Sequence, residues 1–269
     1  MSITTIGNHL IHYEAVGRGR PIVFIHGWLG SWRYWWPSMQ ALSTHHRAFA
    51  FDLWGFGDSS KATNPSNASE LYRFSVYVDM VDKFLDKLGI NQPITLVGHS
   101  LGAAIALRYA SKYLGRVERL VTVALPVQGS SINERLLTTD ADGFISRVLG
   151  KSNSFPEVDS ETRKTDSLAI NSVATELAGI NFTQELDECP HPLLLVYGEQ
   201  DLVIQQPPGE GNPLRQATKN RYFVTLDDCN HFPMLQQTAQ FNRLILDFIN
   251  ADGNLTNLTP KEYWQRRTR

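Results

Sequence analysis

The chain has 269 residues, of which 42% are hydrophobic, and its formal net charge is -2 at pH 7. This length suffices for a substantial core and is common for one α/β domain. The small net charge excludes electrostatic attraction to nucleic acid or to an anionic membrane, and the apolar runs are too short for membrane insertion. Because two cysteines, Cys189 and Cys229, are too few for a disulfide framework and the first residues lack a signal-peptide pattern, we expect a cytoplasmic protein.

Strand and helix patterns alternate along the chain. Short runs of β-branched and apolar residues predict strands, and apolar residues alternately three and four positions apart between 71 and 88 predict one face of a helix. The predicted strands are 3–6, 9–15, 22–25, 48–51, 93–97, 120–125, 192–198 and 222–226, and the predicted helices are 32–42, 71–88, 103–110 and 237–250. The first two strands form an antiparallel hairpin, and the later alternation implies a mostly parallel sheet with helices on both faces.

One stretch, from 127 to 186, has no strand pattern. Its apolar residues are spaced as on amphipathic helices, and they are Phe144, Ile145, Val148, Leu149, Leu168, Val173, Leu177 and Ile180. Two interpretations are open at this point. The helices either cover a functional site as a cap or pack on the core as ordinary surface helices.

The clearest chemical signal lies at residues 98–102, which read GHSLG between a predicted strand and a predicted helix. A serine on such a turn is typical of a nucleophile elbow, in which a strained backbone pushes the Ser100 hydroxyl out of the sheet. Gly98 and Gly102 remove the side chains that would keep the strand and the helix apart. The alternative is that Ser100 is an ordinary helix N-cap.

Polar residues also follow three other predicted strands. A serine nucleophile needs a base, a carboxylate that orients this base, and hydrogen-bond donors for the oxyanion. The residues at these strand ends include His26, Asp201 and His231. Because ligands bind outside the carboxyl edge of a parallel sheet, we expect one common site. Three other carboxylates compete with Asp201 for the acid role, and they are Glu199, Asp227 and Asp228.

With these motifs the chain resembles the serine-nucleophile branch of the α/β-hydrolase superfamily over nearly its whole length. The matching segments are 26–27 (HG), 52–59 (DLWGFGDS), the elbow, 198–201 (GEQD) and 231–233 (HFP). The resemblance implies that Ser100 is the nucleophile, His231 the general base and acid, and Asp201 the orienting carboxylate. It also implies an oxyanion hole formed by the backbone amides of Trp28 and Leu101.

The same resemblance implies the domain organisation. An α/β-hydrolase core with an eight-stranded, mostly parallel sheet is formed by 1–126 and 187–269. A small helical cap at 127–186 is inserted before the strand that carries the acid. Four residues support the site, and they are His26, Gly27, Gly98 and Gly102. His99 is expected to be structural, because the side chain beside an elbow serine points away from the site.

The sequence departs from the family pattern just before the predicted base. Asn230 stands where the family usually has glycine. Asparagine tolerates left-handed backbone geometry better than most residues do, so the loop is expected to keep its course. Access around His231 could differ as a result.

The elbow residue narrows the expected chemistry. Relatives that cleave carbon–halogen bonds or epoxides carry an aspartate there, whereas a serine oxygen suits acyl transfer. The modest cap and the absence of a basic cluster near the predicted strand ends favour a small to medium, uncharged, partly hydrophobic carboxylic ester as the substrate. Its predicted contacts are Trp28, Trp54 and Phe232. We expect no cofactor and no metal, and the oligomeric state stays open.

Other functions stay open because one fold supports many reactions. In this superfamily the same triad serves lactone hydrolysis, carbon–carbon bond hydrolysis, perhydrolysis and hydroxynitrile cleavage. Carbon–carbon hydrolases tend to carry extra glycine and proline after the early HG, where this chain has WLGS at 28–31, so that reaction ranks lower. A ligand receptor that keeps the triad without useful turnover is the alternative from a different class.

Overall fold

One sheet organises the fold in the computed structural model, which describes residues 2–28, 30–134, 155–209, 211–251 and 254–258. The sheet has eight strands in the order β1-β2-β4-β3-β5-β6-β7-β8. Their bounds are β1 Ser2–Ile6, β2 His9–Gly17, β3 Arg20–Ile25, β4 His46–Phe51, β5 Ile94–His99, β6 Val117–Val123, β7 Leu193–Gly198 and β8 Arg221–Leu226.

The strand directions divide the sheet into a short antiparallel part and a long parallel part. β1 pairs with β2 and β2 pairs with β4 in antiparallel fashion, whereas the other neighbouring pairs are parallel. Gly7 lies in the tight turn between β1 and β2 with φ 58°, a conformation that glycine adopts without steric cost. The predicted fold class, a mostly parallel eight-stranded sheet, is confirmed.

Helices cover both faces of the sheet. In chain order they are α1 Trp36–Leu42, α2 Pro65–Leu71, α3 Phe74–Lys87, α4 Leu101–Lys112, α5 Pro156–Thr162, α6 Ser167–Ala178, α7 Thr183–Asp187, α8 Pro233–Gln236 and α9 Thr238–Ile249. Val23 and Ile25 of β3 pack in one core with α3 and α4, whereas Ile22 and Phe24 pack in the other with α1 and α9. The two cores follow from the alternation of side chains along a strand. Within the described ranges, no helix has the length and apolar character of a membrane span.

The predicted helix 71–88 corresponds to α3, and a second helix that was not predicted, α2, precedes it and ends at Leu71. α2 follows Asn64, whose side chain accepts a hydrogen bond from an amide in the first turn, and it has Pro65 at its start. Arg73 then has an extended backbone with φ -76° and ψ 143°, so α3 begins at Phe74. Apolar spacing found α3 and overlooked α2, because α2 is mostly polar and shows no apolar stripe.

The described part of the chain between β6 and β7 is helical. It contains a 3₁₀ turn at Gly129–Ser131 followed by α5, α6 and α7. In α6, Val173 and Leu177 are buried, at the spacing expected for an amphipathic helix. The predicted helix around Phe144, Ile145, Val148 and Leu149 lies outside the described residues. The division into a core and a cap at 127–186 stays a prediction.

Four charged side chains join this helical region to the rest of the fold, and we call them the ionic clasp. Arg33 contacts Asp58 at 3.0 Å and Glu161 at 3.1 Å, and Lys164 contacts the same two carboxylates at 3.0 and 3.1 Å. The side chain of Glu161 is 1% exposed. A carboxylate taken out of water needs compensating partners, and the two cations supply them. The clasp therefore fixes the end of α5 against the loop that follows β4.

Candidate active site

The turn between β5 and α4 has the strained geometry of a nucleophile elbow. Ser100 has φ 53° and ψ -114°, a backbone conformation that residues other than glycine rarely adopt. A Cβ at Gly98 would lie 2.2 Å from the Gly102 carbonyl oxygen, and one at Gly102 would lie 2.3 Å from the Ile25 carbonyl oxygen. Both positions therefore require glycine, because the strand and the helix approach closer than any side chain permits.

The loops after β7 and β8 bring a carboxylate and an imidazole together. His231 Nδ1 donates a hydrogen bond to Asp201 Oδ2 at 2.8 Å, and the two side chains are 6% and 2% exposed. The other carboxylate oxygen, Oδ1, accepts from the Val203 and Ile204 amides at 2.8 and 3.0 Å. With its Nδ1 proton held by Asp201, neutral His231 keeps the lone pair on Nε2, which is the arrangement required of a general base.

The competing carboxylates lie elsewhere. Glu199, Asp227 and Asp228 are exposed, and Glu199 accepts a hydrogen bond from the Asp228 amide at 3.2 Å. The backbone at Asn230 is not left-handed, so the tolerance of asparagine for that geometry is not needed here. Among the described residues other than glycine, that geometry occurs only at Ser100, Ala124 and Asp228. Instead, the Asn230 side chain accepts from the Phe232 amide at 2.9 Å and so closes the turn around the histidine.

The elbow and the base lie in neighbouring segments. His99, directly before Ser100, donates from Nε2 to the His231 carbonyl oxygen at 2.8 Å, and the two histidine rings are 4.5 Å apart between centroids. Ser100 is 7% exposed, and within the described residues no hydrogen bond engages its hydroxyl. Catalytic hydrogen bonds are often long in a free enzyme and tighten in the substrate complex. The proton transfer between Ser100 and His231 stays a prediction.

The loop after β3 is held by the fully buried side chain of His26. Its Nδ1 donates to the Gly27 carbonyl oxygen at 2.8 Å, and its Nε2 accepts from the Leu53 amide at 2.9 Å. In a trans peptide the carbonyl and the following N–H point in opposite directions. By fixing the Gly27 carbonyl, His26 therefore also fixes the direction of the Trp28 amide.

The second predicted oxyanion donor opens α4. Leu101 is the first residue of this helix, and the first amides of an α-helix have no carbonyl partner within the helix. The positive end of the helix dipole also favours negative charge at this point. The position of Leu101 thus suits an oxyanion, and its role stays a prediction.

The three predicted substrate contacts have little free surface. Trp28, Trp54 and Phe232 are 9%, 4% and 3% exposed. Phe232 packs against the His99 and His231 rings, with centroid distances of 5.1 and 5.2 Å. A cavity of about 560 Å³ is lined by residues within 127–131, 205–208 and 212–214, and none of the three residues lines it. Their role in substrate binding stays a prediction.

One group of described residues offers several metal-ligand atoms close together. The relevant atoms of His12, Asp52 and Asp58 lie within 4.8 Å of one another. However, Asp52 already accepts hydrogen bonds from the Trp32 and Asp58 amides at 2.8 and 2.9 Å. The Asp58 carboxylate belongs to the ionic clasp. These contacts show that the group braces the loop after β4.

Buried histidines should make the stability of the fold depend on pH. Burial lowers the pKa of His26 below its ordinary 6.5, and burial together with the neighbouring His231 lowers the pKa of His99 further. The unfolded chain therefore takes up these protons first, so this stability is present above pH 6.5 and lost below it. We expect the free energy of unfolding in urea to fall by up to about 1.4 kcal/mol per pH unit for each histidine between pH 6.5 and 5.5.

The control for this titration is His99→Gln, which removes one of the two groups. Its unfolding free energy should vary less steeply over the same range. A wild-type protein whose unfolding free energy is flat from pH 7 to 5.5 would contradict the assignment of neutral, buried histidines.

Comparisons with known proteins point to one family. A family model described as alpha/beta hydrolase fold matches residues 20–153. The 2-hydroxy-6-oxo-2,4-heptadienoate hydrolase of Pseudomonas putida is 25% identical over 272 residues, covering 88% of this chain and 91% of that enzyme. The probable lysophospholipase BODYGUARD 3 of Arabidopsis thaliana is 37% identical over 110 residues, which are 39% of this chain and 21% of that protein.

A solved structure extends the comparison to almost the whole chain. The enol-lactonase of Burkholderia xenovorans LB400 matches with a TM-score of 0.76 at 21% identity, covering 93% of this chain and 100% of that one. At this level of identity the similarity concerns the fold. The reactions named for these three proteins differ, so the choice among reactions depends on the site.

Proposed function

The chain belongs to the α/β-hydrolase superfamily, and from this premise we propose that it is a serine hydrolase of small to medium, uncharged, partly hydrophobic carboxylic esters. One observation carries the proposal. The strained elbow of Ser100 and the hydrogen-bonded pair of Asp201 and His231 lie on loops at the carboxyl ends of β5, β7 and β8. A nucleophile, a base and an orienting acid are thus available at one edge of the sheet.

The proposed reaction proceeds through an acyl-enzyme. Ser100 Oγ attacks the ester carbonyl while His231 Nε2 takes its proton, and Asp201 stabilises the imidazolium that results. The amides of Trp28 and Leu101 hold the oxyanion of the tetrahedral intermediate. His231 then gives the proton to the leaving alcohol, and a water molecule releases the acyl group with the help of the same base.

Charge in the neighbourhood supports an uncharged substrate. Arg33 and Lys164 are two of the cations beside the loop after β4, and both are paired with Asp58 and Glu161 in the ionic clasp. A third, Lys61, donates to the Gly57 carbonyl oxygen of the same loop at 2.9 Å. Releasing Arg33 or Lys164 to bind a substrate carboxylate would leave Glu161 buried with one partner fewer, which is energetically costly. An ester without charge requires no such exchange.

The test compares the turnover of p-nitrophenyl acetate by the wild type and by Ser100→Ala. We expect the variant to lose about 10⁴-fold or more in kcat, because the proposed acyl-enzyme forms on the Ser100 hydroxyl. Ser111→Ala, on the same helix, is the matched control and should keep the wild-type rate. A fluorophosphonate probe should label Ser100 in the wild type.

Two outcomes would contradict the proposal. Equal turnover by the wild type and Ser100→Ala would show that the observed hydrolysis does not use this nucleophile. A folded wild type that neither reacts with the probe nor hydrolyses any ester in a panel of acyl lengths would favour the ligand-receptor alternative.

A second candidate function is carbon–carbon bond hydrolysis. The observation that favours it is the match to 2-hydroxy-6-oxo-2,4-heptadienoate hydrolase, which extends over 91% of that enzyme. The kcat/KM for this dienoate and for p-nitrophenyl butyrate should be measured with one preparation. We expect the ester to be preferred, and a higher value for the dienoate would replace the first proposal by the second.

The state of the two cysteines bears on the proposed cellular location. Cys189 and Cys229 are both free, and burial raises the pKa of Cys229 to about 12. Unpaired, unreactive thiols suit a reducing compartment. This supports the expected cytoplasmic location.

A further inference from the structure

The hydroxyl of Tyr34 connects two loops of the candidate site. It accepts a hydrogen bond from the Gly27 amide and donates one to His99 Nδ1 at 3.0 Å. His99 Nε2 donates in turn to the His231 carbonyl oxygen at 2.8 Å. We call these four residues the Tyr34 bridge. It runs from the loop of the predicted oxyanion hole to the segment of the predicted base.

The partners at the two ends and the burial of His99 together fix the direction of the hydrogen bonds in the bridge. An amide can only donate and a carbonyl can only accept, so His99 carries a proton on Nε2. Burial lowers the pKa of His99 well below its ordinary value, so the ring is neutral and Nδ1 carries no proton. Its Nδ1 must then accept, and the Tyr34 hydroxyl is the donor. Tyr34 and His99 are both 0% exposed, so no water can replace a lost partner without rearrangement.

The bridge acts where small displacements matter for the reaction. A Cβ on Gly27 would lie 2.9 Å from His99 Nδ1 and 3.0 Å from Ser100 Cβ, so Gly27 packs directly against the elbow. The Gly27 carbonyl is held by His26 and its amide by Tyr34. Any shift of Gly27 therefore changes the distance between the oxyanion loop and the nucleophile.

We infer that Tyr34 is a positioning residue of the hydrolase, because its hydroxyl sets the oxyanion loop and the His231 backbone relative to Ser100. This inference rests on the proposed function. Tyr34 acts through Gly27 and His99, and it has no part in binding the substrate. Its loss should therefore reduce the rate of the chemical step and leave substrate affinity unchanged.

The test is Tyr34→Phe, which removes only the hydroxyl. We expect kcat for p-nitrophenyl acetate to fall by about 10- to 100-fold, since a misplacement of about 1 Å has effects of this order, while KM stays at the wild-type value. The matched control is Tyr109→Phe. Tyr109 is also 0% exposed, and its hydroxyl donates to Asp82 at 2.9 Å, outside the bridge. This control should keep the wild-type kcat.

A second variant, His99→Gln, interrupts the bridge at the other residue that contributes its side chain. Because the bridge works as a unit, the double variant Tyr34→Phe/His99→Gln should be as active as the less active of the two single variants. Independent structural roles would instead multiply the two losses. If Tyr34→Phe does not fold, His99→Gln alone must show the lowered kcat at constant KM.

The outcomes separate this inference from the proposed function. If hydrolysis depends on Ser100 and Tyr34→Phe keeps the wild-type kcat, the positioning role is wrong and the hydrolase proposal stands. A Tyr34→Phe protein with raised KM and unchanged kcat also overturns the positioning role. If the folded wild type has no Ser100-dependent turnover, both proposals fail together.

Discussion

Replacing Asp201 by Asn should reduce the acylation rate about 10⁴-fold while the protein stays folded. The reason is the orientation of the new amide. Asp201 Oδ1 accepts from the Val203 and Ile204 amides, and an asparagine must keep its oxygen there. Its NH₂ group then faces His231 Nδ1 and donates to it. This selects the tautomer that carries the proton on Nε2, which cannot take the proton of Ser100.

The measurement is the pre-steady-state rate of p-nitrophenol release, with circular dichroism as the check on folding. Asp228→Asn makes the same chemical change on the loop after β8, where φ is 52° and asparagine is well tolerated. That control should keep the wild-type rate. A nearly normal rate for Asp201→Asn would move the acid role to another carboxylate, and Glu199→Gln would then be the next variant to measure.

Gly98→Ala should cost about 3 kcal/mol of unfolding free energy and abolish activity, in line with the upper range for overpacking. The added Cβ would lie 2.2 Å from the Gly102 carbonyl oxygen and 2.7 Å from the Ala103 Cα. Both neighbours are backbone atoms of α4, so no side chain can move aside. The helix must shift, and it carries Ser100 and the Leu101 amide with it.

The matched control for the elbow glycine is Gly115→Ala. Within the described part of the chain, no atom beyond the two chain neighbours lies within 4 Å of a Cβ at Gly115, and its φ is outside the left-handed region. This surface change should stay within about 0.5 kcal/mol of the wild type in urea denaturation. If Gly98→Ala unfolds at the wild-type midpoint, the close approach of β5 and α4 at the elbow is wrong.

Much of the fold was predictable from the sequence because its strands are unusually apolar. Runs such as 193–198 are buried on both faces in a parallel sheet, and their short length between a proline and a glycine indicates a strand rather than a helix. The hairpin of β1 and β2 followed from its turn at Gly7. By contrast, α2 was overlooked because Asn64 and Pro65 start a helix that has almost no apolar stripe.

The site was predictable as far as it depends on strand ends and local backbone. The left-handed Ser100 and the pairing of Asp201 with His231 follow from motifs that occupy a few consecutive residues each. No local motif indicates the role of Tyr34, because its contact with His99 joins residues that are 65 positions apart in the sequence. Among the aromatic residues of 32–36, nothing in the sequence distinguishes the tyrosine hydroxyl from ordinary core packing.

The ionic clasp limits how far the helical segment between β6 and β7 is an interchangeable module. Arg33 and Asp58 are encoded before this segment, whereas Glu161 and Lys164 are encoded within it. A graft from a relative that lacked a carboxylate at the position of Glu161 would leave two neighbouring cations facing a single exposed acid. Exchange of this segment, in evolution or in engineering, therefore requires matched changes on both sides of the ionic clasp.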